Sequence, residues 1–453
     1  MRKLRYVLVL VLILAVVSGS TGVITRADVI GDQIRSYIDG FRKETRCNSV
    51  SAAVLNEGSV SFYGDRSGLY QIGSMTKAFT GLGVQKLIVE GKVRPDGAVS
   101  QYLPGFKAFY GSVPQEIKIE HLLTQTSGYT NNEKDYPPAE KDQTLQEWAE
   151  GISGKELRSL PGEKYAYSNV NYNLLGAVIE RVTGKSYKEY MEKEILAPLG
   201  LDHTYVTVDP AEKTIKGSRL GYRHAFTYEI PIAEGRIPAG YFYSNAEDMA
   251  RWMQIWTGAV DIPEEFRKIT DEVKERLKET GDYYSGWEVT ESGEIGHSGG
   301  TPNYSSRMVF SKTKKTGILV LTNLNVAAST DSLCNGMFAL VSGNTKSGIA
   351  KDVWTIFDII FTAVSLASVI AALFVIRARK RTVLLVTGTV LLLTLISVCV
   401  TMPLIFGAGL REIAFVWAPW SFAGGVFLLW TDVILILIRT LMPGKNEDRK
   451  KTS

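Results

Sequence analysis

At 453 residues the chain has room for about three domains of roughly 150 residues each and for a sizeable core, which excludes disorder as its main theme. Its 51 Lys+Arg against 47 Asp+Glu leave a net charge of +4, too balanced for a protein that works mainly by gripping nucleic acid. Three cysteines exclude a disulfide-stapled scaffold, and four histidines, none in an HExxH or paired arrangement, argue against a zinc enzyme. No metal or other cofactor is implied.

The N-terminus carries Arg2, Lys3 and Arg5, an apolar run from Tyr6 to Val17, then small and polar residues. This order predicts a secretory signal peptide over residues 1–27, cleaved after Ser20 or Ala27; an uncleaved anchor helix is the alternative. No Cys comes after the apolar run, so it is not a lipoprotein signal. Either reading carries residue 28 and its successors across the membrane.

Residues 28–345 read as one soluble unit. Helical spacing runs from Val29 to Lys43, and Val50–Leu55 and Val60–Tyr63 flank Asn56-Glu57-Gly58 as a hairpin. Ser74 to Glu90 reads as a helix ended by Gly91, and Asn171 to Thr183 as another. Ser244-Asn245-Ala246-Glu247 reads as a capping box opening a third. Strand-like runs come next at Gly286–Thr290, Ser305–Phe310 and Gly317–Leu321, and Ala327 to Val341 closes the unit as a helix. Strands at both chain ends with helical sequence between predict an α+β fold: one antiparallel sheet flanked by helices, with an all-α insertion.

Composition then changes. The apolar runs 353–376, 382–406 and 413–438 are each long enough to span a hydrocarbon core of about 30 Å as transmembrane helices, the third carrying only Asp432 as a charge. Arg377, Arg379, Lys380 and Arg381 crowd the first loop, and the tail over 439–453 is basic. The second loop has only Arg411, offset by Glu412. Positive-inside logic places the first loop and the tail in the cytoplasm and residues 28–345 outside, as the signal also requires. Trp354, Trp417 and Trp420 read as interfacial anchors. Asp358 and Asp432 lie in or near spans: Asp358 reads as an outer-interface position or a functional one, and Asp432 as interhelical or substrate-related.

Three segments can carry chemistry. Ser74 and Lys77, three apart, share one helix face, so the amine reaches the hydroxyl, and a first-turn serine sits in the positive end of the helix dipole. A second Ser-x-x-Lys at Ser311–Lys314 lies in a polar turn. Tyr167-Ser168-Asn169 precedes the helix at Asn171; a tyrosine beside a Ser–Lys pair can lose its proton to the local positive charge and act as general base. A second such triplet, Tyr243-Ser244-Asn245, has its serine committed as a helix cap. His297-Ser298-Gly299-Gly300 supplies small strand residues that let a substrate backbone approach, and a backbone N–H there can serve an oxyanion. Lys315-Thr316-Gly317 competes for that role but reads as a hairpin turn.

In order and context these pieces resemble the penicillin-recognising serine hydrolases of the class C β-lactamase type, a family of β-lactamases, DD-peptidases, D-aminopeptidases and some esterases. The resemblance rests on Gln71–Thr80, on His121-Leu122-Leu123-Thr124-Gln125-Thr126-Ser127-Gly128-Tyr129 with Gln125 replacing a usual His, on Pro161-Gly162 through Tyr167-Ser168-Asn169 to Gly176, on Pro238-Ala239-Gly240 with Glu247-Asp248, and on Gly296–Gly300. Asn303 stands where a Gly is common. The resemblance implies Ser74 as the nucleophile of an acyl-enzyme, Lys77 and Tyr167 as its proton shuttle, and Asn169 orienting the lysine or the substrate amide. It also implies the Ser74 and Gly300 N–H groups as the oxyanion hole. His297, where a Lys would be a fixed cation, is mostly neutral near pH 7 and tilts the reading from β-lactamase towards peptidase or esterase. An exported domain of this kind with three spans after it is similar in layout to the peptidase that matures colibactin, which removes an N-acyl-D-amino-acid cap from an exported precursor.

The function this implies is a membrane-anchored serine peptidase or amidase acting outside the cytoplasm on D-amino-acid-containing or N-acyl peptides. Its alternatives are a β-lactamase or esterase of the same family, or a non-catalytic penicillin-binding receptor. The partners implied are a small-molecule or peptide substrate and the lipid membrane, with no nucleic acid. Cys399 lies within the second span. Cys47 and Cys334 pair if the first and closing helices bring them together, since export permits oxidation; two buried free thiols are the alternative.

Overall fold

The computed structural model describes residues 26–208, 214–378 and 380–441. Residues 1–25 of the signal expected over 1–27 and nearly all of the basic tail lie outside the described residues. In chain order the framework begins with helix α1 (Arg26–Thr45), strands β1 (Val50–Asn56) and β2 (Ser59–Tyr63), and helix α2 (Thr76–Val89). Helix α3 (Asn169–Thr183) lies within the helical insertion, then come the hairpin β3 (Ser218–Gly221) and β4 (His224–Thr227), and helix α4 (Ala246–Trp256). Strands β5 (Tyr283–Tyr284), β6 (Trp287–Val289), β7 (Ile295–Thr301), β8 (Tyr304–Phe310) and β9 (Gly317–Thr322) lead to helix α5 (Ala327–Val341).

The two chain ends build one seven-stranded antiparallel sheet in the order β2-β1-β9-β8-β7-β6-β5. Register is set by alternation, because a one-residue slip would exchange the two faces. Ala52, Val54, Val309, Ile318 and Val320 point into a core shared with Ile34 and Phe41 of α1 and Leu333 and Met337 of α5. Ala53, Leu55, Met308, Phe310, Leu319 and Leu321 point the other way, into the core of the helical part. α2 runs through that second core with almost every residue buried, so it lacks the polar face of a surface helix. Phe79 of α2 stacks on Trp252 of α4, ring centroids 4.1 Å apart.

Cys47 and Cys334 are both free and buried, so the pairing does not form. Their thiols are turned to different partners: Cys47 donates to the Ser49 carbonyl, Cys334 to the carbonyls of Arg307 and Ile318. Ser244 is not the cap of α4. Asn245 accepts from the Asp248 N–H, while Ser244 bonds the Thr204 hydroxyl from a short strand.

Three C-terminal helices, α6 (Val353–Arg377), α7 (Arg381–Phe406) and α8 (Trp420–Leu441), are long and apolar enough to cross a membrane. The third starts at Trp420 and not at residue 413. Pro419 has no N–H to donate and forces Ala418 into an extended conformation (φ −72°, ψ 157°), which ends the short helical turn Ile413–Trp417. The chain leaves α7 through Gly407 in the left-handed region (φ 62°), and residues 407–419 fold back against the α+β domain. That domain sits at the bundle end carrying Val353, Phe406 and Trp420; Arg377, Lys380, Arg381 and Arg439 lie at the other end.

The two carboxylates of the bundle differ in their surroundings. Asp358, completely buried, accepts from the Ser421 hydroxyl of α8 at 2.8 Å and from the Arg223 backbone N–H of the β3–β4 turn at 2.9 Å. It is therefore a junction between domain and bundle. Asp432 of α8 lies against Ser368 of α6, an interhelical position.

Candidate active site

The site is assembled where α2 begins. Gly73 (φ 53°) starts a tight helical turn, Gly73–Met75, that lifts Ser74 to the N-terminus of α2. A side chain on Gly73 would strike the backbone of Gly299 and Gly300 in β7, and one on Gly299 would strike the Ile72 carbonyl. Only glycines let the serine turn and the strand lie backbone to backbone. The Ser306 hydroxyl locks this contact by donating to the Ile72 carbonyl at 2.7 Å.

Lys77 is fully buried, and its Nζ lies within hydrogen-bond distance of three oxygens: Ser74 Oγ at 3.1 Å, Asn169 Oδ1 at 2.8 Å and the Ala239 carbonyl at 2.6 Å; as a neutral amine it donates to the last two and accepts from the serine hydroxyl. Asn169 is free for this because Ser168, not Asn169, caps α3, accepting from the Val170 N–H. Gln125, held at φ 60°, accepts from the Ser168 N–H at 3.0 Å and from Asn171 Nδ2 at 2.5 Å, fixing the segment from which Tyr167 projects. The Tyr167 hydroxyl faces Ser74, whose hydroxyl partly offsets the effect of burial on the phenol. Its ring lies 4.8 Å from Lys77 Nζ and packs edge-on to Tyr283.

On spacing alone, the lysine's charge draws the proton from Tyr167. Burial acts the other way on both groups: desolvation lowers the Lys77 ammonium well below its ordinary value and raises the Tyr167 phenol. The favoured pair is a neutral amine beside a protonated phenol. Such an amine, hydrogen-bonded to a serine hydroxyl, can take its proton, and the phenol can give one.

His297 is buried, with Nε2 3.1 Å from the Tyr283 hydroxyl and Nδ1 2.5 Å from the Ser298 carbonyl. A carbonyl only accepts, so Nδ1 carries the hydrogen and Nε2 accepts from Tyr283. Burial lowers the imidazole to about 4, so it is neutral at physiological pH. The Ser298 hydroxyl is turned away from the serine: it donates to Asp331 at 2.9 Å and accepts from Arg307 at 2.7 Å. Gly299 packs on the serine turn, and only Gly300 of this segment lines the cleft.

The second triplet is elsewhere: Tyr243 accepts from Gln71 Nε2, and the Ser311–Gly317 segment is the β8–β9 hairpin turn, with the Ser311 N–H donating to the Thr316 carbonyl. The Asn303 amide donates to the Tyr228 carbonyl and ties β7–β8 to the segment after β4.

A cleft opens over Ser74, Asn169, Ala239 and Gly300. Its walls include Tyr136, Trp148, Arg236, Tyr241 and, from the segment between α7 and α8, Trp417. Sequence reasoning assigned Trp417 to the lipid interface and did not foresee it here. Two further residues escaped it. The Arg219 side chain donates to the carbonyls of Ala414, Phe415 and Ala418 and stacks 4.1 Å from the Trp420 ring. Glu133 shares a hydrogen bond with Glu412 across the cleft rim; burial and that second carboxyl raise Glu133 to about 8.

A family model described as Beta-lactamase matches residues 34–335. Protein flp of Staphylococcus aureus (strain MW2) is 34% identical over 269 residues, 56% of this chain and 53% of that protein, so the chain spans about half the length of this relative. A putative D-alanyl-D-alanine carboxypeptidase of Escherichia coli (strain K12) is 36% identical over 149 residues, 30% of this chain and 33% of that protein. Among solved structures, the octameric penicillin-binding protein homologue from Pyrococcus abyssi superposes with a TM-score of 0.61 at 22% identity, covering 73% of this chain and 81% of its own. A class C β-lactamase superposes with a TM-score of 0.59 at 18% identity, covering 72% and 99%.

Proposed function

This chain belongs to the β-lactamase family, and from that footing we propose that it is a membrane-anchored serine hydrolase working through an acyl-enzyme on Ser74. The observation that carries this is the buried Lys77 amine, bonded at once to Ser74, Asn169 and the Ala239 carbonyl while Tyr167 faces the same serine. In this reading neutral Lys77 takes the Ser74 proton as Oγ attacks a carbonyl carbon. The N–H groups of Ser74 and Gly300 receive the oxyanion. When the intermediate collapses, the departing nitrogen takes its proton from Tyr167, which recovers one from the Lys77 ammonium. Water then repeats the sequence on the acyl-enzyme.

The substrate class is a peptide or amide with a D-residue or an N-acyl group. Likeness to a putative D-alanyl-D-alanine carboxypeptidase supports this, as does the neutral His297, which offers a substrate carboxylate no fixed cation. The basic bundle end opposite the domain supports action outside the cytoplasm. The test is intact-protein mass spectrometry with a fluorophosphonate, wild type against Ser74→Ala. One adduct on the wild type and none on the variant is expected; an adduct that survives in the variant overturns the assignment. Turnover of D-amino-acid amides, N-acyl-D-asparagine peptides and nitrocefin then separates peptidase from β-lactamase.

A further inference from the structure

We propose that the membrane part of this chain completes the substrate cleft, and that the cleft takes an amphiphilic substrate. The substrate's apolar chain stays at the bilayer surface while its scissile carbonyl reaches Ser74. The inference rests on the serine-hydrolase reading and adds to it a wall and a route of entry.

Three observations carry it. First, Trp417 and Ser74 line the same cleft, so a residue outside the catalytic domain faces the space where substrate must lie. Second, the segment bearing Trp417 is held, not draped. Arg219 binds three of its carbonyls, the Tyr228 hydroxyl donates to the Phe415 carbonyl at 2.9 Å, and Glu412 is bonded to Glu133. A wall fixed by several polar contacts is part of a site in a way a loose loop is not. Third, the cleft continues. A second space shares Glu133, Arg236, Tyr241 and Trp417 with the first; one side of it is charged, with Glu133, Lys134, Arg236 and Glu412, and the other runs along Ala408, Gly409 and Val416, where an apolar chain can lie.

That second space ends where α7 stops at Phe406 and α8 starts at Trp420, the level at which spanning helices leave the hydrocarbon. Phe415 of the same segment is 57% exposed, an apolar side chain suited to lie in the interface. A wholly water-soluble substrate needs no path to this level. A chain of methylenes does: it can pass Trp417 and remain among lipid tails while the polar head occupies the polar floor at Asn169 and Gly300.

The experiment uses the full chain in lipid nanodiscs and a series of N-acyl-D-amino-acid anilides with acyl groups from acetyl to myristoyl. For the wild type, kcat/KM is expected to rise at least tenfold along the series. In Trp417→Ala that gain should collapse to twofold or less, and Trp417→Phe should restore most of it. Partition of long chains into the disc raises all variants alike, so an equal gain in Trp417→Ala overturns the proposal, as does a flat series for the wild type. Fluorophosphonate labelling of Ser74 in Trp417→Ala reports that the variant is folded. Absence of any Ser74-dependent turnover, even of the acetyl compound, sinks the hydrolase reading instead and is recognisable as such.

Discussion

The backbone N–H of Arg223 donates to Asp358 Oδ2 at 2.9 Å, and its guanidinium lies 3.6 Å from the same oxygen. Arg223 and Tyr222 form the two-residue β3–β4 turn, both in the left-handed region (φ 65° and 50°) that such hairpins require and that non-glycine residues rarely adopt. The strained tip of a catalytic-domain hairpin is thus held by a carboxylate of α6, which the Ser421 hydroxyl ties to α8. Replacing Asp358 by Ala leaves the turn N–H without its acceptor and the guanidinium without its counter-ion, a loss of about 3 kcal/mol. The expected outcome is two separated thermal transitions, domain and bundle, where the wild type shows one, with Ser74 still labelled by a fluorophosphonate. A single unshifted transition would contradict the junction.

Lys77→Met should cut turnover by about a thousandfold and raise stability at neutral pH. The folded amine's pKa is lowered by burial, so between the folded value and the ordinary lysine value the unfolded chain holds a proton that the native state lacks. Stability therefore rises with pH across that window, and the methionine variant should lose this slope. Melting temperatures at pH 6 and 9 for both proteins check it: the difference should shrink in Lys77→Met.

His297 provides the acid-side counterpart. Its folded pKa of about 4 lies below the ordinary 6.5, so as pH falls from 6.5 towards 4 the unfolded chain gains a proton the native state refuses. The destabilisation amounts to about 3 kcal/mol over the window. His297→Gln keeps a partner for Tyr283 and should flatten the urea midpoint between pH 7 and 4.5. An unchanged slope would mean that His297 accepts its proton in the folded state.

Glu133 has the opposite sign. Its pKa is raised from 4.5 to about 8, so the native state keeps a proton the unfolded chain has released. The contact with Glu412 is fully present below about 4.5 and is lost as pH passes 8, with Arg236 and Lys134 facing the pair from the domain side. Hydrogen exchange over residues 408–417, corrected for its intrinsic pH dependence, should be slow at pH 6.5 and faster at pH 9. Glu133→Gln should make protection the same at both.

Local signals made much of this readable. The hairpin signal after Val50–Leu55 and the apolar run Gly317–Leu321 located sheet strands, and Ser74 with Lys77 and Tyr167-Ser168-Asn169 located the candidate site. In each case the residues that matter are neighbours in sequence, so spacing carries the geometry. Where two side chains can do one job, only tertiary partners decide. Asn245 caps α4 because Thr204 occupies Ser244, and Ser168 caps α3 so that Asn169 can serve Lys77. The protonation of Lys77 and Tyr167 turned on burial, which spacing does not report. Trp417 was beyond reach for a related reason: a tryptophan between two spans looks the same whether it faces lipid or a cleft. The Arg219 and Glu133 contacts that decide between them join residues nearly 200 or more positions apart.

The link between domain and bundle sets how far this protein can work from its membrane. Residues 342–352, between α5 and α6, could by contour length let the domain swing out by roughly 35 Å. That length is stowed: the carbonyls of Ser347 and Ala350 accept from Tyr37 and Ser329, and Asp352 accepts from the Ala328 N–H. With the tether laid down and Arg219 and Arg223 fastened to the bundle and its connecting segment, the mouth of the cleft keeps one height above the ends of the three helices. On the membrane-anchored hydrolase reading proposed above, a bond buried deep in a surrounding polymer is out of range, and a substrate must be brought down to that level.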